Sequence, residues 1–158
     1  MAKKRIAVLD AGPYIHLKEI GALKALTIFE LNVPLEVLDE VKSLDGISCT
    51  HPPVKNKSMI GILSTQYELG LGESAAIALC KEKNIDLLLT DDLDARTVAQ
   101  KLDLQPHGTI GILLRAYREK VFTKKETMVF VRKLKTDSTI YITNNLIEYI
   151  LKEIDESK

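Results

Sequence analysis

A chain of 158 residues, 46% hydrophobic and 28% charged, suits one soluble globular domain with a sizeable core. Lys plus Arg and Asp plus Glu number 22 each, which excludes a chain-wide basic field and leaves nucleic acid only a local patch. The two cysteines exclude a disulfide framework or a zinc set, and no apolar run reaches membrane-spanning length. The absence of Trp and the scarcity of other aromatics argue against a base-stacking platform. The opening "MAKKRIAVLD" is basic, but its apolar run is too short for a signal peptide, so a reducing cytoplasm is the expected compartment.

In chain order, "RIAVLD" reads as a buried strand closed by Asp10. "AGPYIHLKEIGALKAL" reads as a helix that starts at Gly12-Pro13 and breaks at Gly21. "TIFELNVP" is a second strand, and "PLEVLDEVKSL" a helix with Pro34 at its first position, where the missing N–H is harmless. Residues 45–58, rich in Gly, Pro, Ser, Thr and Asn, form the longest expected loop, and "MIGILSTQYELG" fits strand or helix equally. "LGLGESAAIALCKEKN" is a helix with an almost wholly apolar middle, hence buried. "IDLLLT" is apolar throughout, as a parallel strand covered on both faces must be. The next helix, "DDLDARTVAQKLDL", sets Ala95, Val98, Ala99 and Leu102 at i, i+3, i+4, i+7. "GTIGILLRAYREKV", "KKETMVFVRKL" and "NNLIEYILKEI" are further helices, with "STIYIT" a short strand or extended piece between the last two. Strands alternating with helices imply an open α/β sheet, whose ligand site lies beyond the carboxyl ends of its strands.

Carboxylates stand out at those ends. Asp91, Asp92 and Asp94 follow the apolar strand directly. Taken alone, they read as helix-start chemistry, an N-cap and first-turn charges on the positive end of the dipole. Asp10 closes another strand in the same way. Glu73 follows Gly70 and Gly72 at the first turn of an apolar helix, where it either steadies the dipole or is aimed at the strand ends. Glu40 borders the arc of Val37, Leu38, Val41 and Leu44, and can reach into a cleft or out to water, whereas Asp39 points away. Carboxylates crowded together repel unless a cation offsets them. Mg²⁺ and Mn²⁺ take oxygen ligands and suit phosphate substrates, so the matching chemistry is phosphodiester hydrolysis. His16, His51 and His107 lack metal-motif spacing, and no nucleophile elbow, Walker A or GxGxxG competes.

"IAVLDAGPYIHLKEIGALKAL", "VPLEVLDEV" and the long stretch from "LGLGESAAIALC" through "LLLTDDLDAR" to "GTIGILLRAYREKV" together resemble the PIN-domain family. Within it they look like a prokaryotic, VapC-like branch of largely unassigned function. The resemblance implies a three-layer α/β/α PIN-like fold with a central, mainly parallel sheet, and a single PIN-like domain over residues 1–158. It implies a divalent-metal-dependent endoribonuclease, the toxin of a toxin–antitoxin pair, using Mg²⁺ or Mn²⁺. In "VPLEVLDEV" a Pro precedes the second acid by six residues, which makes that acid Glu40. The implied catalytic acids are Asp10, Glu40, Glu73 and either Asp91 or Asp92, with Asp10, Glu73, Asp91 and Asp92 as the candidate metal ligands. RNA, an antitoxin protein and a second copy of the chain are the implied partners, and no membrane is involved.

Lesser features are weighed beside these. Arg96 touches phosphate or pairs with Asp92, and the pair is the simpler expectation. Thr90 can hydrogen-bond near the acids. Gly108 and Gly111 serve a site loop or close packing. The basic run between residues 118 and 135 is a solvated helix face or a phosphate contact. The rival function is a catalytically weak PIN-like module that binds nucleic acid or protein. A phosphoryl-receiver domain would want paired acids after its first strand, and a TOPRIM domain would want a Glu there; the chain has neither.

Overall fold

The computed structural model describes residues 3–158, so the first two residues of the basic opening lie outside it. Five strands form one parallel sheet in the order β3-β2-β1-β4-β5. They are β1 (Arg5–Leu9), β2 (Phe29–Asn32), β3 (Cys49–Thr50), β4 (Leu87–Leu89) and β5 (Gln105–His107). The helices are α1 (Ala11–Ile20), α2 (Leu35–Val41), α3 (Lys57–Gln66), α4 (Leu71–Lys83), α5 (Leu93–Lys101), α6 (Thr109–Arg118), α7 (Lys124–Thr136) and α8 (Asn144–Glu156).

Alternation along the strands splits the core into two layers. Ala7, Leu9, Leu31, Leu87 and Leu89 belong to a cluster with α1, α6, α7 and α8. Val8 and Leu88 point the other way, into a cluster with α3, α4 and α5. The fold is therefore a three-layer α/β/α sandwich, and β4 is apolar and buried throughout because both its faces are covered. Cys49 is half-buried and Cys80 buried, both as free thiols. No helix among the described residues is long and apolar enough to cross a membrane.

Several elements differ from the sequence expectation for local reasons. α1 stops at the expected break, with Gly21 at φ 76° as its C-cap, but a 3₁₀ turn, Leu23–Ile28, rather than more α-helix carries the chain into β2. Pro34 is the N-cap of α2 rather than its first helical residue. The ambiguous 59–70 stretch resolves as α3, capped when Asn56 Oδ1 accepts from Met59 N at 3.0 Å. The expected long loop hides β3, an edge strand of only two residues that pairs with Leu31 and Asn32. β5 was not expected at all: "QPH" has no apolar period, and its central proline is tolerated because β5 is an edge. The "STIYIT" stretch is extended chain without strand pairing.

This topology sets the site. The chain leaves β1 and β4, adjacent parallel strands at the centre of the sheet, through Asp10 and through Thr90-Asp91-Asp92. Asp10 N donates to Leu89 O at 2.9 Å, tying the two strand ends together. The strand order runs β1-β2-β3 to one side and β4-β5 to the other, so these ends flank the switch point where open α/β sheets bind ligands.

Candidate functional site

Asp10 is the most deeply buried of the acids, at 4% exposure. It caps α1, with Oδ1 accepting from Ala11 N at 2.9 Å, while Oδ2 accepts from the Thr90 hydroxyl at 2.8 Å. Thr90, itself fully buried, thus links the end of β4 to the acid of β1. Burial pushes the Asp10 carboxyl up to about 7; the hydrogen bonds from Thr90 and Ala11 oppose this, and the nearby charges of Glu73 and Glu40 add to it. No ion-pair partner for Asp10, Glu40, Glu73 or Asp92 lies within 4.0 Å among the described residues.

α4 brings Glu40 and Asp10 to a common point. A Cβ built on Gly72 would lie 2.8 Å from Glu40 Oε2, 3.5 Å from Val37 Cγ2 and 3.8 Å from Asp10 Oδ1. A Cβ there would push the Glu40 carboxylate aside, while its distance from Asp10 is ordinary contact. Glu73, one residue on, folds back onto its own helix start, where Oε2 accepts from Gly70 N at 2.7 Å. Burial raises its carboxyl above the usual range; Gly70 opposes, and the charges of Asp92, Glu40 and Asp94 add to the rise. Asp92 caps α5, with Oδ1 accepting from Ala95 N at 2.7 Å, and Asp94 sits in the first turn. Asp10, Glu40, Glu73 and Asp92 therefore share one electrostatic neighbourhood, with Asp94 at its margin.

Asp91 turns the opposite way. Its Oδ1 accepts from Thr109 N at 2.6 Å, and its Oδ2 accepts from the Thr109 hydroxyl at 2.5 Å and stands 2.6 Å from His16 Nδ1. Burial pushes Asp91 up, yet these hydrogen bonds outweigh it and hold the carboxyl below its usual value. An ionised Asp91 can only accept, so His16 Nδ1 carries the proton and donates. Gly12 and Gly108 make room for this arrangement: a Cβ on Gly108 would lie 2.7 Å from Asp91 Oδ1 and 2.8 Å from Arg96 Nη1. Sequence reasoning missed His16 and Thr109. Their partnership with Asp91 spans 75 and 18 residues and leaves no local pattern, although "GTIG" had marked the loop.

Two smaller expectations change. Arg96 does not pair with Asp92, because Asp92 is turned into its cap while Arg96 leans over Gly108. Part of the basic run is structural: Lys124 donates to the carbonyls of Asp155 and Ser157, and Lys135 to Ile142 O. His107, at the end of β5, lies below its usual pKa through burial and through the charges of Arg5, Arg115, Arg96 and Arg118.

Among the described residues, no three His, Cys, Asp or Glu side chains stand close enough to hold a metal ion as they are placed. The donor chemistry nevertheless fits a hard divalent cation: carboxylate oxygens only, one deeply buried, with no cationic side chain paired to them. Glu73 holds Gly70 N with Oε2 alone and leaves Oε1 without a hydrogen bond among the described residues.

A family model described as a PIN domain matches residues 6–156. No solved structure matches the chain significantly. PIN domains are nuclease-type folds in general, and the central parallel sheet with acids at its carboxyl edge agrees with that. With nearly its whole length matched, the chain belongs to the PIN-domain family.

Proposed function

We propose that the protein is a Mg²⁺- or Mn²⁺-dependent endoribonuclease whose working acids are Asp10, Glu40, Glu73 and Asp92. The observation that carries this reading is Asp10, a buried carboxyl raised to about 7 and faced by two further acids with no cation paired to them. Such a cluster is unfavourable by itself and becomes favourable around a divalent ion. Between the two adjacent aspartates, Asp92 is the better candidate. Asp91 is turned away to Thr109 and His16, whereas Asp92 is among the charges acting on Glu73 and uses only one oxygen in its cap.

A bound ion supplies Lewis acidity to the phosphodiester and lowers the pKa of an attacking water. The chain's own residues do the rest. Asp10, Glu73 and Asp92 hold the ion. Thr90 fixes the orientation of Asp10 from behind, as outer partners of metal ligands do. Glu40 is exposed and the least engaged of the four, which suits it to orient the water and take its proton. Asp91, with His16 and Thr109, braces the start of α6 and keeps the loop after β4 in place.

Cleavage of a labelled RNA tests the reading. Activity that requires Mg²⁺ or Mn²⁺, stops with EDTA and is lost in Asp10→Asn and Glu73→Gln supports it. Activity that survives all three overturns it. A toxin role extends the same reading, and co-purification with the product of an adjacent short reading frame, which then inhibits cleavage, checks that extension.

A catalytically weak binding module is the second reading. The observation favouring it is the Glu73 carboxylate, which closes its own helix start and leaves no three acids placed around an ion. Magnesium titration followed by NMR separates the two. Shifts at Asp10, Glu73 and Asp92 favour the nuclease, and no shift at any acid favours the module.

A further inference from the structure

On the far side of Asp91 from the acidic cluster lies a groove of about 690 Å³, bounded by the starts of α5 and α6, the extended 139–142 stretch and α8. Its half-buried lining includes His16, Arg96 and His107. Its exposed lining includes Tyr141, at 93% exposure, and Tyr149, at 62%. We propose that this groove binds a single-stranded polynucleotide, with a backbone phosphate at Arg96 and unpaired bases stacked on Tyr141 and Tyr149. The proposal rests on the nuclease reading for the kind of polymer that arrives.

The unmet hydrogen-bond donors of Arg96 select the occupant. Arg96 makes no side-chain hydrogen bond and no ion pair among the described residues, and its guanidinium lies against Gly108, where a Cβ would displace it or be displaced. The one carboxylate lining the groove, Asp91, already accepts from Thr109 and faces His16. Asp91 flanks the same Gly108, but its oxygens are held by Thr109 and His16, so the guanidinium N–H groups of Arg96 have no acceptor among the described residues and suit a phosphate oxygen. The two tyrosines supply what a phosphate alone would not use. An exposed ring accepts any base face, and only unpaired bases can reach it. The low aromatic content of the chain argued against a stacking platform, but position outweighs number: two of its five tyrosines stand at this groove. Continuity agrees, because Asp91 adjoins Asp92 and Leu93 lines the groove, so a strand held at the acids runs on into it. A second copy of the chain is a poorer occupant. A two-fold contact through this patch would offer Arg96 only an Asp91 whose oxygens Thr109 and His16 already hold.

The test uses fluorescent oligouridylate and oligothymidylate of about eight nucleotides, within the usual single-strand site size, in EDTA so that cleavage plays no part. The expected result is binding that weakens about tenfold in Tyr141→Ala and again in Tyr149→Ala. Arg96→Gln should weaken binding and flatten its salt dependence by about one phosphate contact. A duplex of equal length should be indifferent to the tyrosine changes. Both tyrosines are surface residues, so these variants fold. No binding of either oligonucleotide overturns the proposal, as does binding that ignores both tyrosines. So does sedimentation showing that the tyrosine variants convert a dimer to a monomer, because a second copy then covers the groove. The two readings fail separately. Tyrosine-dependent binding without any metal-dependent cleavage leaves the groove and removes the nuclease; Asp10-dependent cleavage that ignores the tyrosines does the reverse.

Discussion

Asp10 and Asp91 follow neighbouring parallel strands, and the fold treats them in opposite ways. Each accepts protein hydrogen bonds. Asp91 has three, including one from an imidazole, and sits below the usual carboxylate pKa. Asp10 has two, is buried more deeply, faces other acids and sits at about 7. The difference shows that a strand-end aspartate in this fold is either held ionised by hydrogen bonds or raised by burial among other acids, and that its neighbours across the sheet decide which.

The largest test of the contrast is Asp10→Asn. Losing an ion-holding carboxylate removes several kcal/mol of transition-state stabilisation, so RNA cleavage should fall by about a thousandfold. The metal-free protein should move the other way. Its Asp10 carboxyl sits at about 7 in the fold against an ordinary 3.8, so between those values the folded state holds a proton that the unfolded chain has lost. Stability therefore falls as pH rises from about 4 to about 7. Asn removes that penalty, at most about 4 kcal/mol, and thermal melts in EDTA at pH 8 should show a more stable variant. A destabilised Asp10→Asn would place Asp10 with Asp91 and erase the distinction.

Asp91→Ala is the counterpart. It strands Thr109 N and the His16 ring, which should cost about 2–4 kcal/mol in urea unfolding at pH 7. The sign of its pH dependence is reversed. A depressed folded pKa contributes stability above the unfolded value, and that stability is lost as pH falls through the folded one. Cooperative melts from pH 6 down to pH 3 on wild type and Asp91→Ala should converge. A divalent-ion titration sharpens the pair: saturating Mg²⁺, about a hundred times its dissociation constant, should stabilise wild type by about 2.7 kcal/mol and Asp10→Asn by far less.

How much of this was legible beforehand follows from the range of each interaction. The strand "IDLLLT", the apolar helix α4 and the acids at the strand ends are local patterns, and they read correctly as a covered parallel sheet with carboxylates at one edge. β3 and β5 were invisible because two- and three-residue edge strands take their pairing from a neighbour and have no apolar period of their own. The choice between Asp91 and Asp92 stayed open for the same reason. What separates them is His16 on α1 and Thr109 on α6, and neither contact writes anything into "TDDLD". Gly72 enters the sequence reading only as a neighbour of Glu73, while the structure packs it closely against Glu40 and within contact of Asp10.

That packing makes Gly72→Ala the next test down in size. In a helix, Ala is favoured over Gly by about 1 kcal/mol, which offsets the cost of pushing aside a flexible glutamate tip, so stability should change little. The Cβ would nevertheless sit 2.8 Å from Glu40 Oε2 as placed, and Glu40 must move away from Asp10. Misplacing a proton acceptor by about an ångström should lower cleavage ten- to about a hundredfold, with the Mg²⁺-induced rise in melting temperature retained. Loss of both would show that Glu40 holds the ion rather than the water.

Asp94→Asn should have the smallest effect, and its smallness is informative. Asp94 raises the Glu73 carboxyl only as the last of the neighbouring charges and makes no hydrogen bond to the other acids. Its main role is a first-turn charge on α5, worth about 0.3–1 kcal/mol to the helix dipole. The variant should lose that stability and cleave within about threefold of wild type, since a distant exposed charge is well screened. A fall of a hundredfold would move Asp94 from the margin into the ion's own shell. The proposed division of the three aspartates into brace, ligand and helix charge would then need redrawing around the side of α5 that faces Glu73, with Asp91 still held by His16 and Thr109.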